Sequence, residues 1–199
     1  MKLGPIIENT EYSHSLKSLQ ELLAEVNLGL YDDFRDYLCR KNISNLDLSF
    51  GVAVALELSH LSYALRGTEV SGLNLAGNNI HAQRLQNVSL KETKIHHLNL
   101  AYNRLKSEGV KKLSDVLKDT EVCSLNLEGN NLDAEGAKNL ALALKNTNVS
   151  YLNLQRNKLN FSEEDVIALI EDISDTLLVE IKTNASYKSE SLDMALAQN

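Results

Sequence analysis

Val122-Cys-Ser-Leu125-Asn-Leu127-Glu-Gly-Asn130-Asn-Leu132 is a stretch of eleven residues that returns in register three more times along the chain. The other copies are Val70-Ser-Gly-Leu73-Asn-Leu75-Ala-Gly-Asn78-Asn-Ile80, Ile95-His-His-Leu98-Asn-Leu100-Ala-Tyr-Asn103-Arg-Leu105 and Val149-Ser-Tyr-Leu152-Asn-Leu154-Gln-Arg-Asn157-Lys-Leu159. Two degenerate copies flank them. Ile43-Ser-Asn-Leu46-Asp-Leu48 keeps the apolar triplet but has Gly51 where Asn is expected. Val179-Glu-Ile181-Lys-Thr-Asn184 keeps the Asn but has Thr176 at the first apolar position. The key Leu or its equivalent then falls at 46, 73, 98, 125, 152 and 179, with steps of 27, 25, 27, 27 and 27 residues. A fixed period of this length marks a stack of repeated supersecondary units.

The residue types follow from the geometry of a short strand. Leu73 and Leu75 are two apart, so both point to one side, into a core, while Asn74 points to the other. A strand this short buries too little alone, and stacked neighbours must complete its core. Asn78, Asn103, Asn130, Asn157 and Asn184 end each strand at a turn, where an amide can satisfy backbone groups that are otherwise buried unpaired.

Between the strands the spacing becomes helical. Val110, Leu113, Val116 and Leu117 form one apolar stripe, and Ala137, Leu140 and Leu144 repeat it in the next unit. Ser107 is the expected N-cap of the first of these helices and Ser162 that of a helix over 163–175. Val52–Leu65 predicts a helix in the first repeat. The second repeat is two residues shorter, so its helix near Gln83–Leu90 should be short or distorted. The acidic residues within 163–175 read as the solvated face of a helix. Residues 1–42 are expected to cap the stack with helices, 43–184 to form the stack itself, and 185–199 to be a polar tail or short cap.

The run EGAKNLALALKNTNVSYLNLQRNKL at 135–159 resembles the ribonuclease-inhibitor-like, long-repeat subfamily of leucine-rich-repeat proteins. The likeness covers roughly residues 43–184. It implies an α/β, right-handed solenoid of about six repeats, with a curved parallel β-sheet on the concave face and helices on the convex face. The polar tail, small caps and length also look like the leucine-rich-repeat effectors of intracellular bacteria. That likeness implies delivery into a host cell cytosol. Relatives in the long-repeat class further imply an alternative role, as a GTPase regulator or an enzyme inhibitor acting through the same surface.

Composition narrows the function. A net charge of −7 disfavours nucleic acid as a partner, because neutralising phosphates needs surplus Lys and Arg. No apolar run approaches the ~20 residues of a membrane-spanning helix, and the N-terminus lacks the apolar core of a signal peptide. A cytoplasmic protein without membrane insertion is expected. Cys39 and Cys123 sit far apart in unlike contexts, which favours free thiols in a reducing compartment. No phosphate loop, zinc-binding spacing or nucleophile elbow appears, so no cofactor and no enzymatic activity are expected. His96-His97 is the nearest approach to a metal site, but successive strand residues diverge to opposite faces. No metal is expected there.

The register orders the exposed face into columns. The first runs Asn45, Gly72, His97, Ser124, Tyr151, Leu178 and the central one Asp47, Asn74, Asn99, Asn126, Asn153, Glu180. The next two run Ser49, Ala76, Ala101, Glu128, Gln155, Lys182 and Phe50, Gly77, Tyr102, Gly129, Arg156, Thr183. Central Asn residues are expected to bond one another in a stacked row. Large polar and aromatic side chains gather over the third to fifth repeats, beside small residues at Gly72, Ala76 and Gly77 that should leave a bare shelf. The expected partner is a protein, held by His97, Asn99, Tyr102, Asn126, Glu128, Tyr151, Asn153, Gln155 and Arg156, with Tyr and Arg as anchors.

Overall fold

The computed structural model describes residues 31–50, 58–159 and 176–182. Helix α1 (Tyr31–Arg40) leads into strand β1 (Asn45–Asp47), and α2 (Leu58–Ala64) into β2 (Gly72–Asn74). A 3-10 helix at Ala82–Leu85 precedes β3 (His97–Asn99). Then come α3 (Lys106–Leu117), β4 (Ser124–Asn126), α4 (Ala134–Leu144), β5 (Tyr151–Asn153) and β6 (Glu180–Lys182). The strands form one six-stranded parallel sheet in chain order, β1 to β6. Each strand has three residues because the turn at its end returns the chain to the helical side.

The core lies between sheet and helices. Leu46, Leu73, Leu98, Leu125 and Leu152 stand opposite one another in the paired strands, and all are buried. Behind them pack Val110, Leu113, Val116 and Leu117 of α3 and Ala137, Leu140, Ala141 and Leu144 of α4. Phe34 and Leu38 of α1 are buried in the same cluster. They lie 27 residues before Leu61 and Leu65, so α1 stands in the place of a repeat helix. Residues 1–30, the first part of the expected N-terminal cap, fall outside the described residues, as do Gly51, Ser162, the 163–175 segment, Asn184 and the tail.

The turn amides behave as their position requires. Asn103 Oδ1 accepts from the N–H groups of Asn78 and Ile80, both at 2.9 Å, and its Nδ2 donates to the carbonyls of Leu75 (3.0 Å), Leu100 (2.9 Å) and Ala101 (3.2 Å). Asn157 makes the corresponding five bonds one repeat pair further on. A second column does similar work at the other end of each unit. Thr68, Thr93, Thr120 and Thr147 donate from Oγ1 to the carbonyl three residues back, at 2.6–2.8 Å. This closes the helix-to-strand turn with a local side-chain bond.

The sheet corrects the expected register of the last strand. Leu152 faces Ile181, Tyr151 faces Glu180 and Asn153 faces Lys182, so the last step is 29 residues rather than 27. Thr176 is therefore no failed apolar position. Its Oγ1 accepts from Leu178 N–H at 3.3 Å, as Thr147 accepts from Val149 at 3.5 Å. Leu178, placed by sequence in an exposed column, is fully buried in the position of Val149.

Two helix expectations change in detail. In the second repeat the shortening yields the 3-10 helix, with Leu85, Val88 and Leu90 still turned inward. An apolar cavity of about 20 Å³ remains beneath it, lined by Leu58, Leu65, Leu75, Leu98 and Val116 among others. Ser107 is not the N-cap of α3, because it lies inside the helix and its Oγ donates to Asp133 Oδ1 at 2.7 Å. Asp133 is the N-cap of α4, and the same oxygen accepts Gly136 N–H at 2.9 Å. One carboxylate thus ties the starts of two neighbouring helices. The Gly136 N–H first and the Ser107 hydroxyl second hold Asp133 below the usual carboxylate range.

Candidate functional site

The solvent-facing side of the sheet carries the sequence-predicted residues on three adjacent units. His97 and Asn99 lie on β3, Asn126 on β4, and Tyr151 and Asn153 on β5. Tyr102, Glu128, Gln155 and Arg156 stand in the turns that follow those strands.

Four of them are joined. The Tyr102 hydroxyl donates to Glu128 Oε1, Arg156 Nε lies 3.1 Å from the same oxygen, and Asn153 Nδ2 donates to Glu128 Oε2 at 3.4 Å. The Glu128 side chain is only 18% exposed, whereas that of Arg156 is 72% exposed. A carboxylate so covered by donors is a fixed centre for the groups around it. It orients Tyr102 and holds Arg156 beside it. The bond to Glu128 is the main reason that Tyr102 ionises above the ordinary tyrosine range, with burial and the Glu128 charge adding to it against Arg156.

The turn backbone sets the height of these groups. Phe50, Gly77, Tyr102, Gly129 and Arg156 all adopt positive φ, between 51° and 66°. At Phe50 and Tyr102 the ring runs along the sheet toward the next repeat, whereas Arg156 reaches back to Glu128 of the preceding one. The Tyr102 ring consequently lies over Gly129, where an added Cβ would come within 2.8 Å of it, and Phe50 lies over Gly77 in the same way. Glycine at every second turn is what admits an aromatic ring from the turn before.

That geometry removes the bare shelf expected near the second repeat. An added Cβ at Gly72 would meet Asn45 Oδ1 at 2.3 Å, and Gly77 is covered by Phe50. Phe50 itself is 76% exposed and extends the ridge that contains Tyr102. The sequence already had Phe50 in the column of Tyr102 and Arg156, followed in that column by a glycine, as Tyr102 is.

The central Asn row is also built differently from expectation. Asn74, Asn99, Asn126 and Asn153 do not bond one another. Each Oδ1 accepts the backbone N–H two residues on, at 3.0–3.1 Å. Asp47 does the same to Ser49 N–H at 2.9 Å. These are Asx turns, which need only an acceptor oxygen and so accommodate Asp or Asn. Asn99 and Asn126 shape the strand exit, leaving their amide nitrogens toward solvent.

His97, Tyr151 and Gln155 stand apart from the Glu128 network. Burial first and the neighbouring His96 second hold His97 below the ordinary imidazole value. His96 turns away, with Nδ1 2.8 Å from Lys94 O and Nε2 3.3 Å from Glu121. Tyr151 gains a neighbour that the sequence register had misplaced, the Lys182 ammonium, 5.3 Å from the ring centroid. Among the described residues no three His, Cys, Asp or Glu side chains gather as a metal site would require. Cys39 and Cys123 are both free thiols.

Comparison with known proteins bears on the repeats. The family model described as Leucine Rich repeat matches residues 91–114 and 124–141. No curated protein matches the chain. Among solved structures the chain is similar to leiomodin-1 actin-binding site 2 (ABS2), with a TM-score of 0.50 and 12% sequence identity over 84% of this chain and 88% of that one. At that identity the likeness is one of fold. With the register of the parallel strands and the buried Asn turns, these matches show an open α/β solenoid fold built from leucine-rich repeats.

Proposed function

We propose that the chain is a non-catalytic protein-interaction module. It holds a partner protein on the sheet face through His97, Asn99, Tyr102, Asn126, Glu128, Tyr151, Asn153, Gln155 and Arg156. The observation that carries this reading is the Tyr102–Glu128–Arg156 network, which fixes an aromatic and a guanidinium side by side on an exposed face. Tyr and Arg are the residues most often found to dominate binding energy at protein interfaces. The pairing of a strand with a full helix in the third and fourth repeats supports placement in the ribonuclease-inhibitor-like subfamily.

The test is a triple variant, Tyr102→Ala with Tyr151→Ala and Arg156→Ala, used as bait beside the wild type in eukaryotic cell lysate. The partner is captured by wild type and lost from the variant, while thermal stability stays nearly the same. Equal capture by both moves the site elsewhere. If the partner is a GTPase, a turnover assay with and without the chain identifies the regulatory form of the same function. The bacterial-effector reading rests on the polar tail at 185–199. It places the protein in a host cell cytosol, and a reporter fused to that tail tests export.

A further inference from the structure

Three amides on the sheet face hold their donors outward in a row. In Asn74, Asn99 and Asn126 the side-chain oxygen is spent on the backbone N–H two residues on, so Nδ2 is the group left over. That assignment is forced, because only the amide oxygen can accept from an N–H. Among the described residues no hydrogen bond engages these three Nδ2 groups, and none of them is buried from solvent. The strands set the residues in line, Asn74 beside Asn99 and Asn99 beside Asn126. At ~4.8 Å per strand, the first and last stand ~9.6 Å apart. The row stops at both ends, where Asp47 offers a carboxylate and Asn153 gives its Nδ2 to Glu128. Beside the row Ala76 and Ala101 add only methyl groups, and the exposed Tyr102 ring flanks it.

A row of donors without acceptors selects an occupant rich in acceptors and poor in donors. With Asp47 at one end and Glu128 paired to Arg156 at the other, the row has no surplus positive charge for an anion. A β-type segment laid along it turns N–H groups as well as carbonyls to the same edge, and those N–H groups would meet donors. An α-helix has already spent its backbone groups internally. A polyproline II segment meets both conditions. It has no internal hydrogen bonds, so its carbonyls are available, and its prolines carry no N–H. With three residues per turn and a rise of about 3.1 Å, carbonyls three residues apart point the same way at about 9.3 Å, close to the span from Asn74 to Asn126. Segments of this kind dock their rings on aromatic side chains, and Tyr102 supplies one.

We propose that the Asn74–Asn99–Asn126 row takes a proline-rich segment of a partner protein in the polyproline II conformation, with its carbonyls on the amide donors and a proline ring against Tyr102. This rests on the reading of the sheet face as a partner-binding surface and names the chemistry of the partner. The probe is decaproline, titrated into the full, isotope-labelled chain and followed by NMR through the side-chain amide resonances. Those of Asn74, Asn99 and Asn126 shift on binding, while that of the buried Asn103 stays in place. Asn99→Asp and Asn126→Asp keep the acceptor that shapes the strand exit but put a second acceptor where the donor was. Each weakens decaproline binding by about tenfold or more, and Tyr102→Ala does likewise. A glycine-serine peptide of equal length, which carries N–H groups, and decaglutamate both bind about tenfold more weakly than decaproline. Circular dichroism confirms that each variant keeps the wild-type fold. An affinity indifferent to both Asp substitutions, or a glycine-serine peptide or decaglutamate that binds as tightly as decaproline, overturns the proposal. Amides that stay silent toward decaproline overturn it too, and the partner-binding reading then still stands if the triple variant loses the lysate partner.

Discussion

Replacing Asn103 by Ala and Asn99 by Ala, four residues apart, separates two kinds of asparagine that look alike in the repeat. Asn103 is buried, and its Oδ1 is the acceptor for two buried N–H groups, of Asn78 and Ile80. Stranding a buried donor costs roughly 1–3 kcal/mol, so Asn103→Ala should destabilise the chain by about 4 kcal/mol. The carbonyls that lose the Nδ2 donor add less. Leu100 O keeps Asn130 Nδ2 at 2.8 Å and Ala101 O keeps Gly77 N–H at 2.9 Å. Asn99 gives up only one bond, to Ala101 N–H at 3.0 Å, on a half-buried face that water reaches. Its replacement should cost about 1 kcal/mol. Aspartate sharpens the contrast. Asn99→Asp keeps the acceptor oxygen, as Asp47 does in β1, and should be nearly neutral. Asn103→Asp turns a carboxylate oxygen toward three carbonyls and should cost at least as much as alanine. Urea unfolding followed by circular dichroism reads the difference, with the Asn103→Ala midpoint lower by about 2 M for a slope near 2 kcal/mol per M. Equal losses at the two sites, or an Asn103→Asp variant as stable as Asn99→Asp, would refute the assignment of roles.

Two further outcomes follow from the caps and the turns. Asp133→Ala should lower stability by about 1 kcal/mol through loss of the N-cap, while Asp133→Asn keeps the cap. Because Asp133 ionises below its ordinary value in the fold, its charge contributes stability at neutral pH that disappears as pH falls through the folded pKa. Acid unfolding of Asp133→Asn should therefore be less steep than that of wild type, and an unchanged acid limb would count against the bond to Gly136. Gly129→Ala places a methyl at positive φ and against the Tyr102 ring, and should cost about 1–2 kcal/mol. The displaced phenol leaves Glu128, so its ultraviolet titration should move down toward the ordinary tyrosine value, with Tyr102→Phe assigning the step. A titration unaffected by Gly129→Ala would mean that the ring does not depend on that glycine.

The repeat period, the core positions and the buried Asn turns were legible in the chain alone. Each is a local pattern, a two-residue or helical alternation copied at fixed distance, and local patterns survive in one dimension. The Leu positions 46 to 152 and the bonds of Asn103 stand where the sequence put them. The sixth strand did not, because Val179 and Ile181 fit the apolar pattern equally well two residues apart. Burial of Leu178 against the preceding unit decides between them. The threonine column at 68, 93, 120, 147 and 176 carried that answer in the sequence, as its last step is 29 residues. Only the tertiary structure decided what the exposed columns do. Residues 25 to 29 apart in the chain become neighbours across one strand spacing, so Glu128 meets Tyr102 from one unit and Arg156 from the next. The central Asn residues turn to their own backbone, and Phe50 fills the space over Gly77. Sequence supplies the residues of a column in order. Whether they bond to each other, to the backbone or to nothing depends on the direction each side chain takes in the folded turn, which no spacing encodes.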